Sequence, residues 1–118
     1  MRIQIRISAA QLRRAKQAAA IRLRSVSHLV SVGADDLFTL FHRKFLLPGD
    51  REAMLQTLRE RYPRNPEEPR RKTTISISLK TREHIWGIAM ATHPFLSIND
   101  TVLLALETEI EDTLTEET

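Results

Sequence analysis

Two six-residue segments constrain this chain more than anything else in it, because both alternate strictly and both lead into the same succession of helix signals. Arg2 to Ile7 places Ile3, Ile5 and Ile7 on one face of a strand and Arg2, Gln4 and Arg6 on the other. Thr74 to Leu79 does the same, with Ile75, Ile77 and Leu79 opposed to Thr74, Ser76 and Ser78. After the first segment, Ser8 offers an N-cap, and Ala9 to Arg24 is rich in good helix formers with Leu12, Ala15, Ala18 and Ala19 as a narrow apolar stripe. Ser25-Val26-Ser27 caps a second helix that turns Val30, Ala34, Leu37, Phe38 and Phe41 inward. After the second segment, Thr81 is the expected cap of a helix running through Ile85, Ile88, Ala89 and Met90 to His93, where Pro94 stops it. Ser97-Ile98-Asn99 then caps a last helix carrying Val102, Ala105, Leu106 and Ile110.

The two halves align without a gap at an offset of 72 residues. Ile3 falls on Ile75, Ile5 on Ile77, Ile7 on Leu79, Ser25 on Ser97, Val26 on Ile98, Val30 on Val102 and Ala34 on Leu106. Arg6 to Ser25 spans 19 residues, as does Ser78 to Ser97. This is an internal repeat. One strand-helix-helix unit is too small to bury its own apolar faces and leaves both strand edges open. The expected remedy is pairing with the other unit: a two-stranded antiparallel ribbon over four helices, a mainly α fold arranged as a tandem pseudo-dimer. The expected divisions are residues 1–47 for the first unit, 48–72 for a connector and 73–118 for the second unit with an acidic tail. In the connector, Asp50 caps a short helix over 51–61, and Pro63, Pro66 and Pro69 make 64–72 an extended strap. Trp86 is expected to pack, and the small Gly33 and Gly87, which align with Ala105 and Ala15, suggest close helix approach.

The strands Arg2-Ile-Gln-Ile-Arg6 and Thr74-Ile-Ser-Ile-Ser78, with the helix starts Arg24-Ser-Val-Ser27 and Leu96-Ser-Ile-Asn99, resemble the ribbon-helix-helix superfamily of the Arc and MetJ repressors. The resemblance covers residues 2–41 and 74–112, and the tandem arrangement is similar to that of TraY-like conjugation accessory proteins. It implies a sequence-specific double-stranded DNA-binding regulator, a transcriptional repressor, with the ribbon in the major groove. Arg2, Gln4, Arg6, Thr74, Ser76 and Ser78 would then contact bases. The helix starts Ser25, Val26, Ser27 and Ser97, Ile98, Asn99, together with Arg70, Arg71 and Lys72, would hold phosphates. In place of the glycine that many members carry between the two helices, this chain has Leu23 and Phe95. The second strand also lacks Arg and Lys over 74–79, so the first unit is expected to be the main reader and the target asymmetric.

Charge points the same way. Residues 1–72 hold 16 Lys/Arg against 7 Asp/Glu, net +9, and residues 73–118 hold 2 against 8, net −6. No acidic residue precedes Asp35. A basic half suits a polyanion. The absence of cysteine excludes disulfides and thiolate chemistry. His28, His42, His84 and His93 lack metal-site spacing, Asp35-Asp36 reads as solvated helix charge, and no nucleophile or phosphate-loop motif is visible. Neither an enzyme, a metal nor a cofactor is expected. Lacking a long apolar run or signal-like segment, the chain is expected in the cytoplasm, associated with the nucleoid and not with membrane. Self-association on DNA is compatible with this reading. The alternatives are a relaxosome accessory protein, or an antitoxin or interaction module that meets a basic protein through the acidic C-terminal segment, Glu107 to Glu117.

Overall fold

The computed structural model describes residues 1–44, Gln56, 69–93 and 96–116. Within them the order is β1 (Arg2–Ser8), α1 (Ala9–Arg22), α2 (Val26–Lys44), β2 (Arg70–Ser76), α3 (Leu79–Thr92) and α4 (Ile98–Glu116). The fold is mainly helical with one two-stranded antiparallel sheet. The expected connector helix and most of the strap lie outside the described residues, as does Pro94.

Alternation forms the strands as expected. Ile5, Ile7, Ile75 and Ile77 are buried on the inner face, while Arg2, Gln4, Arg6, Thr74 and Ser76 are exposed on the other. Beneath them α2 contributes Leu29, Val30, Ala34 and Leu37, and α4 contributes Val102, Leu103, Leu106 and Ile110. The small Ala15, Ala18 and Ala19 line the inner side of α1. The first helix of each half leans on the second helix of the other, α1 on α4 and α3 on α2, more than on its own partner. The most extensive helix pair is α2 with α4. At that crossing a Cβ on Gly33 would sit 2.1 Å from the Ala105 carbonyl oxygen, so only glycine fits. The expected close approach is found there. At Gly87 a Cβ would meet only the Phe38 ring, at 3.4 Å.

The alignment of the halves requires a correction. Ser8 caps α1 by accepting from the Gln11 amide, and Ser78, not Thr81, caps α3 by accepting from the Thr81 amide. Structural equivalence through strand and first helix is therefore an offset of 70, pairing Ile5 with Ile75, Ile7 with Ile77 and Ser8 with Ser78. From Val26 and Ile98 onward it is 72. The two extra residues lie between α3 and α4, residues 93–97, against 23–25 in the first half. The turns differ for a physical reason. Leu23 takes the left-handed conformation (φ 55°) and closes α1 tightly, its own amide bonding to Ala20 and the Arg24 amide to Ala19. His93 instead leaves α3 extended (ψ 136°), as the proline that follows it demands.

Two expectations fall with the offset. Leu79 is not a strand residue in the core; it opens α3 and is 60% exposed. Arg70, Arg71 and Lys72, expected at the end of the connector, are the first three residues of β2.

Candidate nucleic-acid interface

The ribbon pairs Arg2 with Ser76, Ile3 with Ile75, Gln4 with Thr74, Ile5 with Thr73, Arg6 with Lys72, Ile7 with Arg71 and Ser8 with Arg70. Gln4 and Thr74 are equivalent residues that pair with each other, so the ribbon has an approximate two-fold axis through them. Its outer row reads Arg2, Gln4, Arg6 on one strand and Arg70, Lys72, Thr74, Ser76 on the other, all exposed. None is acidic and none is apolar. Two assignments change as a result. Ser78 lies beyond the strand, where its hydroxyl is engaged with Thr81 as a helix cap, so it is not one of the outer row. Lys72 was expected beside the ribbon and stands on it, directly opposite Arg6.

Both helix starts flank this row, and side chains fix them there. Ser25 accepts from the His28 amide, and Ser97 forms a reciprocal box with Asp100, each side chain accepting from the other's amide. The Asn99 carboxamide accepts from the Arg6 amide at 2.6 Å and donates to the Arg6 carbonyl at 3.0 Å. At the equivalent place in the other half, the Ser27 hydroxyl accepts from the Ser76 amide at 3.0 Å. Each strand's outer edge is thus met by the second residue of the opposite half's helix, which satisfies three outward-facing backbone groups in all. The sequence marks Ser27 and Asn99 as polar helix-start residues but gives no sign of this latch. Among the described residues, the amides of Val26, Ser27, Ile98 and Asn99 have no acceptor. They lie in the first turn, where helix geometry leaves donors free and the dipole is positive. Ser25 and Ile98 are exposed, Val26 and Asn99 half-buried. Arg24, two residues before the first of these helices, is exposed, as are Arg70 and Arg71 at the start of β2.

Behind the surface, two ion pairs and a histidine–carboxylate hydrogen bond join the halves. Arg14 pairs with Glu107 at 2.5 Å, and Gln11 donates to the same carboxylate. Its equivalent across the axis is His84 with Asp35, at 2.7 Å, with His84 stacked on Phe38. Asp35 is therefore engaged rather than simply solvated. Arg22 donates to Glu109 at 2.6 Å. Glu109 is 3% exposed, and its other oxygen has no partner among the described residues. Burial pushes this carboxyl above its ordinary value; Arg22 pulls it down and the neighbouring Asp36 raises it again. Trp86 is half-buried beneath the Arg82 guanidinium, 4.6 Å from the ring centre. Among the described residues no His/Asp/Glu cluster has the geometry of a metal site, and no helix is long and apolar enough to cross a membrane.

No protein-family model, curated protein or solved structure matches this chain.

Proposed function

We propose that this chain is a sequence-specific double-stranded DNA-binding regulator, a tandem ribbon-helix-helix pseudo-dimer that acts as a repressor by laying its ribbon in the major groove. One observation carries the reading: an outer row of seven hydrogen-bonding side chains, four of them cationic, bracketed by two helix starts with free amides. A two-stranded ribbon matches the width of the major groove, where every base pair presents a distinct pattern of donors and acceptors. Arg and Lys suit guanine O6 and N7, Gln4 suits adenine, and Thr74 and Ser76 accept either. The flanking amides, with Ser25 and Ser97 shaping them and Arg24, Arg70 and Arg71 adding charge, suit phosphates and fix the ribbon's register. Asn99 and Ser27 serve this role indirectly, by locking each helix start to the ribbon.

A relaxosome accessory protein would use the same surface, so gene neighbourhood separates it from a repressor. An interaction module working through the acidic C-terminal helix has less support, because Glu107 and Glu109 are occupied within the chain by Arg14 and Arg22.

The test is a titration of random and selected 20-base-pair duplexes at two salt concentrations. With about six phosphate contacts, affinity is expected to fall roughly 10³-fold between about 50 and about 200 mM salt. Arg6→Ala should lose about 1–3 kcal/mol on the preferred sequence and relax its specificity, while Ser25→Ala weakens all sequences alike. Salt-independent binding, or none, would sink the reading.

A further inference from the structure

The outer row is uneven along the ribbon, not simply between its strands. On one side of the Gln4–Thr74 axis the cross-strand pair is Arg6–Lys72, followed by Arg70; on the other it is Arg2–Ser76. Since the Arg6 amide and carbonyl both turn outward to Asn99, Arg6 and Lys72 form a non-hydrogen-bonded pair, the type with the closest side chains. Two like charges directly opposite each other destabilise a sheet. Among the described residues neither has an acidic partner, whereas Arg14 and Arg22 on the helices each have one. A folded chain that keeps two unneutralised cations together, at one end of an otherwise polar row, is built for a site dense in acceptors.

Resting on the DNA-binding reading above, we propose that the ribbon binds in a single orientation: the half-site under Arg6 and Lys72 holds adjacent guanines, and the half-site under Arg2 and Ser76 is read weakly. Guanine is the base whose major-groove edge offers two acceptors, and its complement on the pair places one donor to the side. Adenine presents an amine there that faces a cation unfavourably. Ser76 is short and takes either partner, so its half discriminates little. Each helix start is tied to the ribbon by its second residue, Asn99 through two hydrogen bonds to Arg6 and Ser27 through one to Ser76. The polarity proposed here is set by the base row.

The experiment is selection from a library of duplexes with 16 randomised base pairs, using the full chain, Lys72→Ser and Ser76→Arg. Both positions are exposed, and circular dichroism checks that each variant folds. The natural chain is expected to enrich a motif with guanines in one half and a degenerate other half. On that motif Lys72→Ser should bind about tenfold more weakly, with the loss confined to the guanine-bearing half. Ser76→Arg, which makes the weak end resemble the strong one, should enrich guanines in both halves. It should also bind a palindrome of the strong half about tenfold more tightly than the natural chain does. An enriched inverted repeat with equal halves overturns the polarity while leaving DNA binding intact. So does a polar motif indifferent to Lys72→Ser. Failure of every duplex to bind at low salt overturns the DNA-binding reading itself, and the polarity with it.

Discussion

Single residues in this chain carry costs that are not visible from their type. Leu23 holds φ 55° and is 89% exposed, so it contributes almost no burial to offset a left-handed backbone. That conformation costs an L-residue about 1–2 kcal/mol, against about 0.5–1 kcal/mol for the extra chain entropy of glycine. Leu23→Gly is therefore expected to raise stability by about 0.5–1 kcal/mol, read as a higher urea midpoint at unchanged slope. Glu109 is the opposite kind of case, a buried carboxyl whose ionisation the fold resists. Its folded value lies above its unfolded one, so the native chain holds that proton more tightly. The resulting stability is fully present below the ordinary glutamate range and is lost as pH rises through the raised folded value. As pH rises above the ordinary glutamate range, Glu109→Gln should lose less stability than the natural chain. Parallel curves for the two would show that Glu109 titrates normally. The sequence displays Glu109 as one of several acidic residues near the C-terminus, and nothing local separates it from Glu111 or Asp112, which are exposed. Only packing against Arg22 and Asp36 does.

At the level of elements, the crossing of α2 and α4 is the joint on which both halves close. Gly33 and Ala105, aligned at the offset of 72, meet there, with the glycine lying against backbone rather than a movable side chain. Gly33→Ala should push the helices apart and cost about 3 kcal/mol, measured by thermal unfolding. Gly87→Ala, which meets only the Phe38 ring, should be much milder. The elements were largely legible beforehand. Alternation marked both strands, Ser8, Ser25 and Ser97 marked three of the four helix starts, and the apolar stripes of α1, of α4 and of α2 from Val30 to Phe38 lie in or against the core, while the side chain of Phe41 lies outside the described residues. The second strand was misplaced by a slip of two residues. Because side chains alternate with a period of two, such a slip leaves polar and apolar faces intact, and Leu79 could stand in for a core residue without breaking the pattern. A stronger local match was present in Ile5-Arg-Ile-Ser8 and Ile75-Ser-Ile-Ser78, where three of four residues agree and both serines are caps.

For the whole molecule, the decisive property is that both strands of the ribbon belong to one chain, and each first helix rests on the other half's second helix. Folding need not wait for a partner. The melting temperature should stay constant over a roughly hundredfold range of protein concentration, with light scattering returning 13.6 kDa. A melting temperature that rises with concentration would mean that halves are exchanged between chains. On the proposed pseudo-dimer reading the halves are free to differ: the Arg14–Glu107 ion pair corresponds to the His84–Asp35 contact. By itself the sequence determined the two strand-helix-helix passages, their polar and apolar faces and the basic character of the first half, because periodicity, capping and charge are local. The tertiary structure decided which residues share the outer row. Pairing register depends on where a helix begins and on what the opposite strand supplies, and alternation is blind to both. That is why Lys72 stands opposite Arg6 and Ser78 does not belong to the row.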